Sequence, residues 1–197
     1  MVTEATKIDV HWPDVLSGLV RGQDMSRDMA QHVVTAMLAG QASDAQIAGF
    51  LIGMAAKGEI TEEILGMRDA MFAASTPLEL PEGTVDIVGV GGAPRRQVAA
   101  FNVSTIASIV AAAAGATVCK HGNRKASSTS GSFDLLEALG VNIEASPDVV
   151  ADGVAKIGLG FAFARAHHPS MRHVGPARAQ LGVPSVFNVL GPLAHPG

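Results

Sequence analysis

Between Cys119 and Ser132 the chain reads CKHGNRKASSTSGS. Lys120 and Arg124 carry permanent positive charge, Asn123 an amide, and His121 a ring that donates or accepts. Ser127, Ser128, Thr129, Ser130 and Ser132 add five hydroxyls, and Gly131 permits a tight bend before a helical pattern opens near Phe133. A basic run is ordinarily solvated surface. Fused to a hydroxyl-rich loop, it points instead to a small polyanion carrying more than one phosphate. Upstream, FNVST (Phe101 to Thr105) leads into an alanine-rich helix. Ser104 or Thr105 is placed to cap it, the first-turn amides suit a phosphate, and Asn102 and Ser104 offer further donors, although the same residues also make a plain N-cap. In GVGG (Gly89 to Gly92), Gly89, Gly91 and Gly92 let the backbone approach a ligand or make a tight strand exit. The third glycine of a dinucleotide fingerprint would fall on Pro94, which argues against a nicotinamide site.

Alternating elements must hold these loops. TVDIVGV (Thr84 to Val90) reads as a buried strand ending in glycines, STIASIVAAAAG as a helix, ATVC as a second strand, SFDLLEALG as a helix and VNIEA as a third strand. That alternation predicts an α/β domain with a mainly parallel sheet, whose ligands sit at the carboxyl ends of the strands. Residues 1 to about 76 read differently, as short amphipathic helices. Met29, Val33 and Met37 share one face, with Gly40 placed to end that helix. Ser43 and Gln46 form a capping box ahead of an Ile47, Phe50, Leu51 and Met54 stripe. A further helix after Thr61 has Glu62 and Glu63 at its positive end and turns Ile64, Met67 and Met71 inward. STPLELPEG (Ser75 to Gly83) interrupts the helical pattern and marks the domain crossing.

The 197 residues, 48% hydrophobic and 16% charged, are enough for one domain or two small ones. The longest apolar run, Ile106 to Val118, is too short to span a bilayer, and Glu4, Lys7 and Asp9 stand where a signal peptide would be apolar, so neither a membrane nor secretion is expected. The single cysteine, Cys119, excludes an internal disulfide or a cysteine-built zinc site and suits a reducing cytoplasm. A formal charge of -4 gives no general attraction to nucleic acid.

Taken together, DIVGVGG, FNVST, KHGNRKASSTSGSFDLLEALG, GFAFARAHHPSMRHVGPARAQLGVPSVFNVLGPL and GQASDAQIAGFLIGMAAKGEITEEILGMRDAM resemble the anthranilate phosphoribosyltransferases, which share a fold with pyrimidine nucleoside phosphorylases. FNVLGPL favours the former. The resemblance implies transfer of a phosphoribosyl group from phosphoribosyl pyrophosphate to the amine of anthranilate, with Mg2+ assistance. It implies that Gly89, Gly91 and Gly92 approach the donor, and that Asn102, Ser104 and Thr105 hold its phosphates, Ser104 also ligating the metal. Lys120, Asn123, Arg124, Ser127, Ser128 and Ser132 would contact pyrophosphate and ribose phosphate, while His121, Asn123 and Arg178 would face anthranilate. His121 would position or steer a proton, its alternative being a hydrogen bond that orders a loop. His167 and His168 suggest a metal cluster at first sight, yet magnesium prefers oxygen, and His168 ahead of Pro169 reads as shaping the chain. A helical domain (1–76), an α/β domain (77–197), a hinge through 167–185 and a homodimer formed through the helical domain also follow from the resemblance.

Two departures qualify these expectations. In GVGGAPRRQVAAFN, Val90 stands where the family has a hydroxyl and Ala93 where it has a carboxylate, while Arg95 and Arg96 are added in a longer loop. The two arginines would clamp a phosphate, accept another donor, or decorate a loop. The chain also stops at GPLAHPG, before the Asp-Glu pair with which the family holds magnesium. An incomplete sheet with an open edge, part of a longer or split protein, and little activity on its own are therefore expected. A relative using another aromatic acceptor or sugar donor, and a non-catalytic binding paralogue, remain alternatives.

Overall fold

The computed structural model describes residues 8–89, 101–124 and 131–197. Along the chain these form α1 (Trp12–Val20), α2 (Arg27–Leu38), α3 (Asp44–Lys57), α4 (Thr61–Ala73), α5 (Val103–Ala113), β1 (Val118–Gly122), α6 (Ser132–Ala138), α7 (Pro147–Ile157), β2 (Leu159–Phe163), α8 (Ala164–His167), a 3-10 turn (Pro169–His173), α9 (Gly175–Leu181) and α10 (Phe187–Leu193). They divide into two compact units. One holds the chain through Ala74 together with Ser170–Leu190; the other holds Ser75–Pro169 and Gly191–Gly197.

In the helical unit, α1 packs on α3, α2 on α4, and α3 on α9. The Ser43–Gln46 capping box is present, with Ser43 N–H donating to Gln46 Oε1 at 2.8 Å and Gln46 N–H to Ser43 Oγ at 3.3 Å. Ile47, Phe50, Leu51 and Met54 are buried, as are Val33, Met37, Met67 and Met71. Met29 is not part of that core, because it lies on the outward edge of the first turn of α2, where it is exposed. Glu63 does more than complement the helix dipole. It is fully buried and accepts from Met25 N–H at 2.9 Å, Ile60 N–H at 3.0 Å and Lys57 Nζ at 2.9 Å, and Lys57 also reaches Asp24 at 2.7 Å. The paired lysine and two backbone donors make burial of this carboxylate tolerable.

In the second unit β1 and β2 pair in parallel, Val118 opposite Leu159 through Gly122 opposite Phe163. Three sequence expectations need correction here. VNIEA is not a strand: Asn142 Oδ1 accepts from Glu144 N–H at 3.2 Å, a local turn that captures the backbone, while Ile143 anchors the turn against Phe133, Leu136 and Phe163. The strand parallel to β1 is instead LGFAF, whose Gly160 and Ala162 are small enough for Val150 and Val154 of α7 to pack directly upon it. TVDIVGV is bridged only at Val85, which is half-exposed, and the second strand begins at Val118 and runs through Gly122, so Lys120 and His121 are strand residues.

Gly66 of α4 faces α2 so closely that a Cβ would strike the Arg27 carbonyl. Gly66→Ala is expected to lower stability to urea by about 1–3 kcal/mol by forcing the two helices apart; an unchanged midpoint would show that the crossing is looser than described.

Candidate active site

Of the residues singled out for chemistry, Lys120 and His121 lie in β1 and Asn123 and Arg124 just after it, where the parallel ladder is broken. Val85 N–H donates to Thr117 O at 2.9 Å and Cys119 N–H to Val85 O at 3.0 Å, the start of a regular pairing. The next groups in line would be Ile87 N–H, Cys119 O, Ile87 O and His121 N–H. Three of the four go to side chains instead: Cys119 O accepts from His195 Nε2 at 3.0 Å, Ile87 O from Lys120 Nζ at 2.7 Å, and His121 N–H donates to Asp86 Oδ1 at 3.0 Å. The segment leading to Gly89 therefore leaves the sheet beside the residues it would otherwise cover.

This explains the state of Lys120. Its side chain is only 1% exposed, and its ammonium donates to Ile87 O and, at 3.4 Å, to His121 O. Burial lowers its pKa, opposed by the charge of Asp86. Burial raises that of Asp86, opposed by the His121 N–H, His195 and Lys120. Among the described residues Asp86 Oδ2 has no hydrogen-bond partner. Cys119 lies in the apolar cluster with Leu78, Val150, Val154 and Ala162, and burial, aided by Asp86, pushes its thiol up to about 12, so it stays protonated.

His121 is 4% exposed and stands edge-on to His168 and His195, with ring centroids 5.4 and 5.6 Å away. Burial, reinforced by the neighbouring imidazoles, pushes its pKa down to about 3. Its Nε2 has no partner among the described residues. A neutral ring with an open nitrogen can accept a hydrogen bond or orient a polar group, but it is a weak base.

Beyond Gly122 the chain turns outward. Asn123 Oδ1 accepts from Arg124 N–H at 2.8 Å, and Asn123 O accepts from Ser132 Oγ at 3.3 Å and Phe133 N–H at 3.4 Å, which ties the strand exit to the start of α6. Arg124 pairs with Glu137 at 2.8 Å and lies 6.0 Å over the Phe163 ring. α5 packs on β1 and β2. Its N-cap is Asn102 and not Ser104 or Thr105, because the Asn102 carbonyl already accepts from Thr105 N–H at 3.0 Å and Ile106 N–H at 3.1 Å. Ser104 and Thr105 thus lie in the first turn, and the buried Thr105 Oγ1 has no partner among the described residues. Gly89 is exposed at the end of the first described stretch. Gly91, Gly92, Ser127 and Ser128, with Val90, Ala93, Arg95, Arg96, Thr129 and Ser130, lie outside the described residues.

Arg178 belongs to the helical unit. Its guanidinium lies 5.2 Å over the Phe187 ring and 3.4 Å from Asn188 Oδ1, which also accepts from Ser185 N–H at 3.0 Å; burial lowers its pKa. Sequence reasoning assigned nothing to Asp86, His195 or Asn188. A carboxylate inside an otherwise apolar strand was the signal available for Asp86; the other two depend on tertiary packing. His167 and His168 bond backbone carbonyls, and the described residues contain no group of three or more His, Cys, Asp or Glu placed to hold a metal.

The chain belongs to the glycosyl transferase family: residues 13–75 match its helical bundle domain and residues 81–197 its a/b domain. Within that family it is similar to the anthranilate phosphoribosyltransferases of Nocardioides sp., 48% identical over 94% of this chain and 53% of the relative, and of Streptomyces griseus, 46% identical over 94% and 51%. Among solved structures it is similar to the anthranilate phosphoribosyltransferase of Thermus thermophilus, with TM-score 0.86 and 46% identity over 93% of this chain and 55% of that one. The Saccharomyces cerevisiae enzyme in complex with PRPP and Mg gives TM-score 0.83 and 30% identity over 94% and 55%. The chain thus spans about half the length of the curated relatives it matches. No helix among the described residues is long and apolar enough to cross a membrane.

The low pKa of His121 sets a direct expectation. In an NMR titration its ring signals should stay flat from about pH 8 to about pH 5, whereas an inflection near the ordinary histidine value of about 6.5 would mean the ring is wet.

Proposed function

We propose that the protein acts in the transfer of a phosphoribosyl group from phosphoribosyl pyrophosphate to anthranilate in tryptophan biosynthesis, giving N-(5-phosphoribosyl)anthranilate and pyrophosphate. The observation that carries this reading is the side-chain stitching at the end of β1, on a chain 46% identical to the Thermus thermophilus enzyme over 93% of its own length.

Displacing pyrophosphate from the anomeric carbon develops an electron-poor, oxocarbenium-like sugar, so the site must stabilise the leaving group's charge and align a weakly basic aryl amine. In this reading Asn102, Ser104 and Thr105 offer donors at the first turn of α5, and Asn123, Arg124 and Ser132 offer them at the strand exit. Gly89, Gly91 and Gly92, with Ser127 and Ser128, complete the donor loops. Lys120 adds positive potential from behind the strand end. Mg2+ would neutralise charge on the diphosphate, with the Ser104 hydroxyl among its ligands. His121, neutral, would accept a hydrogen bond from the incoming amine and steer its proton. Arg178 would meet the carboxylate of anthranilate. Movement about a hinge through 167–185 would bring the helical domain (1–76) and the α/β domain (77–197) together and exclude water from the electrophilic sugar. A cytoplasmic homodimer that binds neither nucleic acid nor membrane belongs to the same reading. Val90 and Ala93 in place of the family's oxygen donors, with Arg95 and Arg96 added, favour a second reading with a different sugar donor or aromatic acceptor.

Calorimetric titration of the full chain with phosphoribosyl pyrophosphate, with and without Mg2+, tests the proposal. Binding should require the metal for full strength and weaken about tenfold, equivalent to about 1.4 kcal/mol, in Arg124→Ala. Heats unchanged in both Lys120→Ala and Arg124→Ala would remove the donor site.

A further inference from the structure

The backbone passes between the two units three times, after Ala74, after Pro169 and, within α10, after Leu190. On the α/β side every passage is met by a histidine ring. His167 Nδ1 donates to Thr76 O at 3.1 Å, and Thr76 N–H returns a bond to His167 O at 2.7 Å, joining the first passage to the second. His168 Nε2 donates to Ala194 O at 2.9 Å, joining the second to the third. His195 Nε2 donates to Cys119 O at 3.0 Å and fastens the third to β1, while Leu78 N–H donates to Pro196 O at 2.9 Å and closes the circuit. His167 and His168 are buried.

We propose that His167, His168 and His195 are positioning residues, a clamp of imidazoles that binds the α/β ends of all three passages to one another and to β1, and that opens when His167 and His168 take up protons. The carbonyl acceptors assign the tautomers. With Nδ1–H given to Thr76, His167 keeps a bare Nε2 that is buried without a partner among the described residues, so a second proton there would have no acceptor. The titratable groups facing the clamp are His121 and Lys120 of β1, the protonated Cys119 thiol, and Asp86, which lines one cavity together with His195. The charges that act on His167 and His168 are those of other imidazoles, so each proton taken up disfavours the next. Burial holds both rings below the ordinary value of about 6.5, which they regain once released. The clamp's contribution is therefore complete above about pH 6.5 and falls as pH drops below it, by up to about tenfold per pH unit for each proton taken up. This inference is independent of the transfer reaction.

Hydrogen exchange of the full chain tests it, corrected for intrinsic rates and read at Thr76 and Leu78 with Val33 and Met54 as references in the helical unit. Between about pH 7.5 and about pH 5.5, protection at Thr76 and Leu78 should fall at least about tenfold while the references hold. The double variant His167→Asn, His168→Gln keeps a donor at each position but cannot be protonated; it should preserve protection at neutral pH and abolish most of the acid response. An acid response that persists in the double variant, or that spreads equally to Val33 and Met54, would overturn the clamp. Should the variant not fold, NMR titration of the native rings decides: His167 and His168 titrating near about pH 6.5 would also overturn it.

Discussion

At the end of β1, side chains take over hydrogen bonds that backbone would otherwise make, and the candidate site depends on that substitution. A parallel pairing started at Val85 has no steric reason to stop, since Ile87 and Val88 suit a strand. It stops where Asp86, Lys120 and His195 capture three of the four groups needed to extend it. Those three groups keep a hydrogen bond when the segment leaves the sheet, which favours its turning away. The chain approaching Gly89 is thus released close to His121 and the strand exit without a cost in unsatisfied polar groups on these three atoms.

The substitution also reassigns charge. Lys120 is buried, its ammonium resting on two carbonyls and on the field of Asp86. Its positive potential still reaches the strand end, and Arg124, paired with Glu137 outside, is the cation better placed to exchange partners. The same economy of buried charge recurs in the helical unit, where Glu63 and Lys57 are tolerated only because each is met by partners in fixed positions.

How much was legible in the sequence follows from the range of the forces involved. The helices carry their signals locally: the Ser43–Gln46 box and the Ile47, Phe50, Leu51, Met54 stripe act within a few residues of one another and were readable. Strands were read less well. VNIEA has strand-like alternation, yet Asn142 bends it and Ile143 serves as an anchor, whereas LGFAF pairs with β1 despite two small residues because α7 needs that space. The chemical residue types from Asn102 to Ser132 were visible, as was Arg178 through its motif. The roles of Asp86, His195 and His168 were not, since their partners lie 26 to 76 residues away along the chain.

The central claim is that Asp86 and Lys120 act as one device that holds the strand end open, and a double-mutant cycle measures it directly. Urea unfolding of Asp86→Ala, Lys120→Met and the double variant should give a coupling of about 0.5–3 kcal/mol, the double variant being less damaged than the sum of the singles. Additivity within about 0.3 kcal/mol would contradict the account, because it would mean that the two side chains break the ladder independently or not at all.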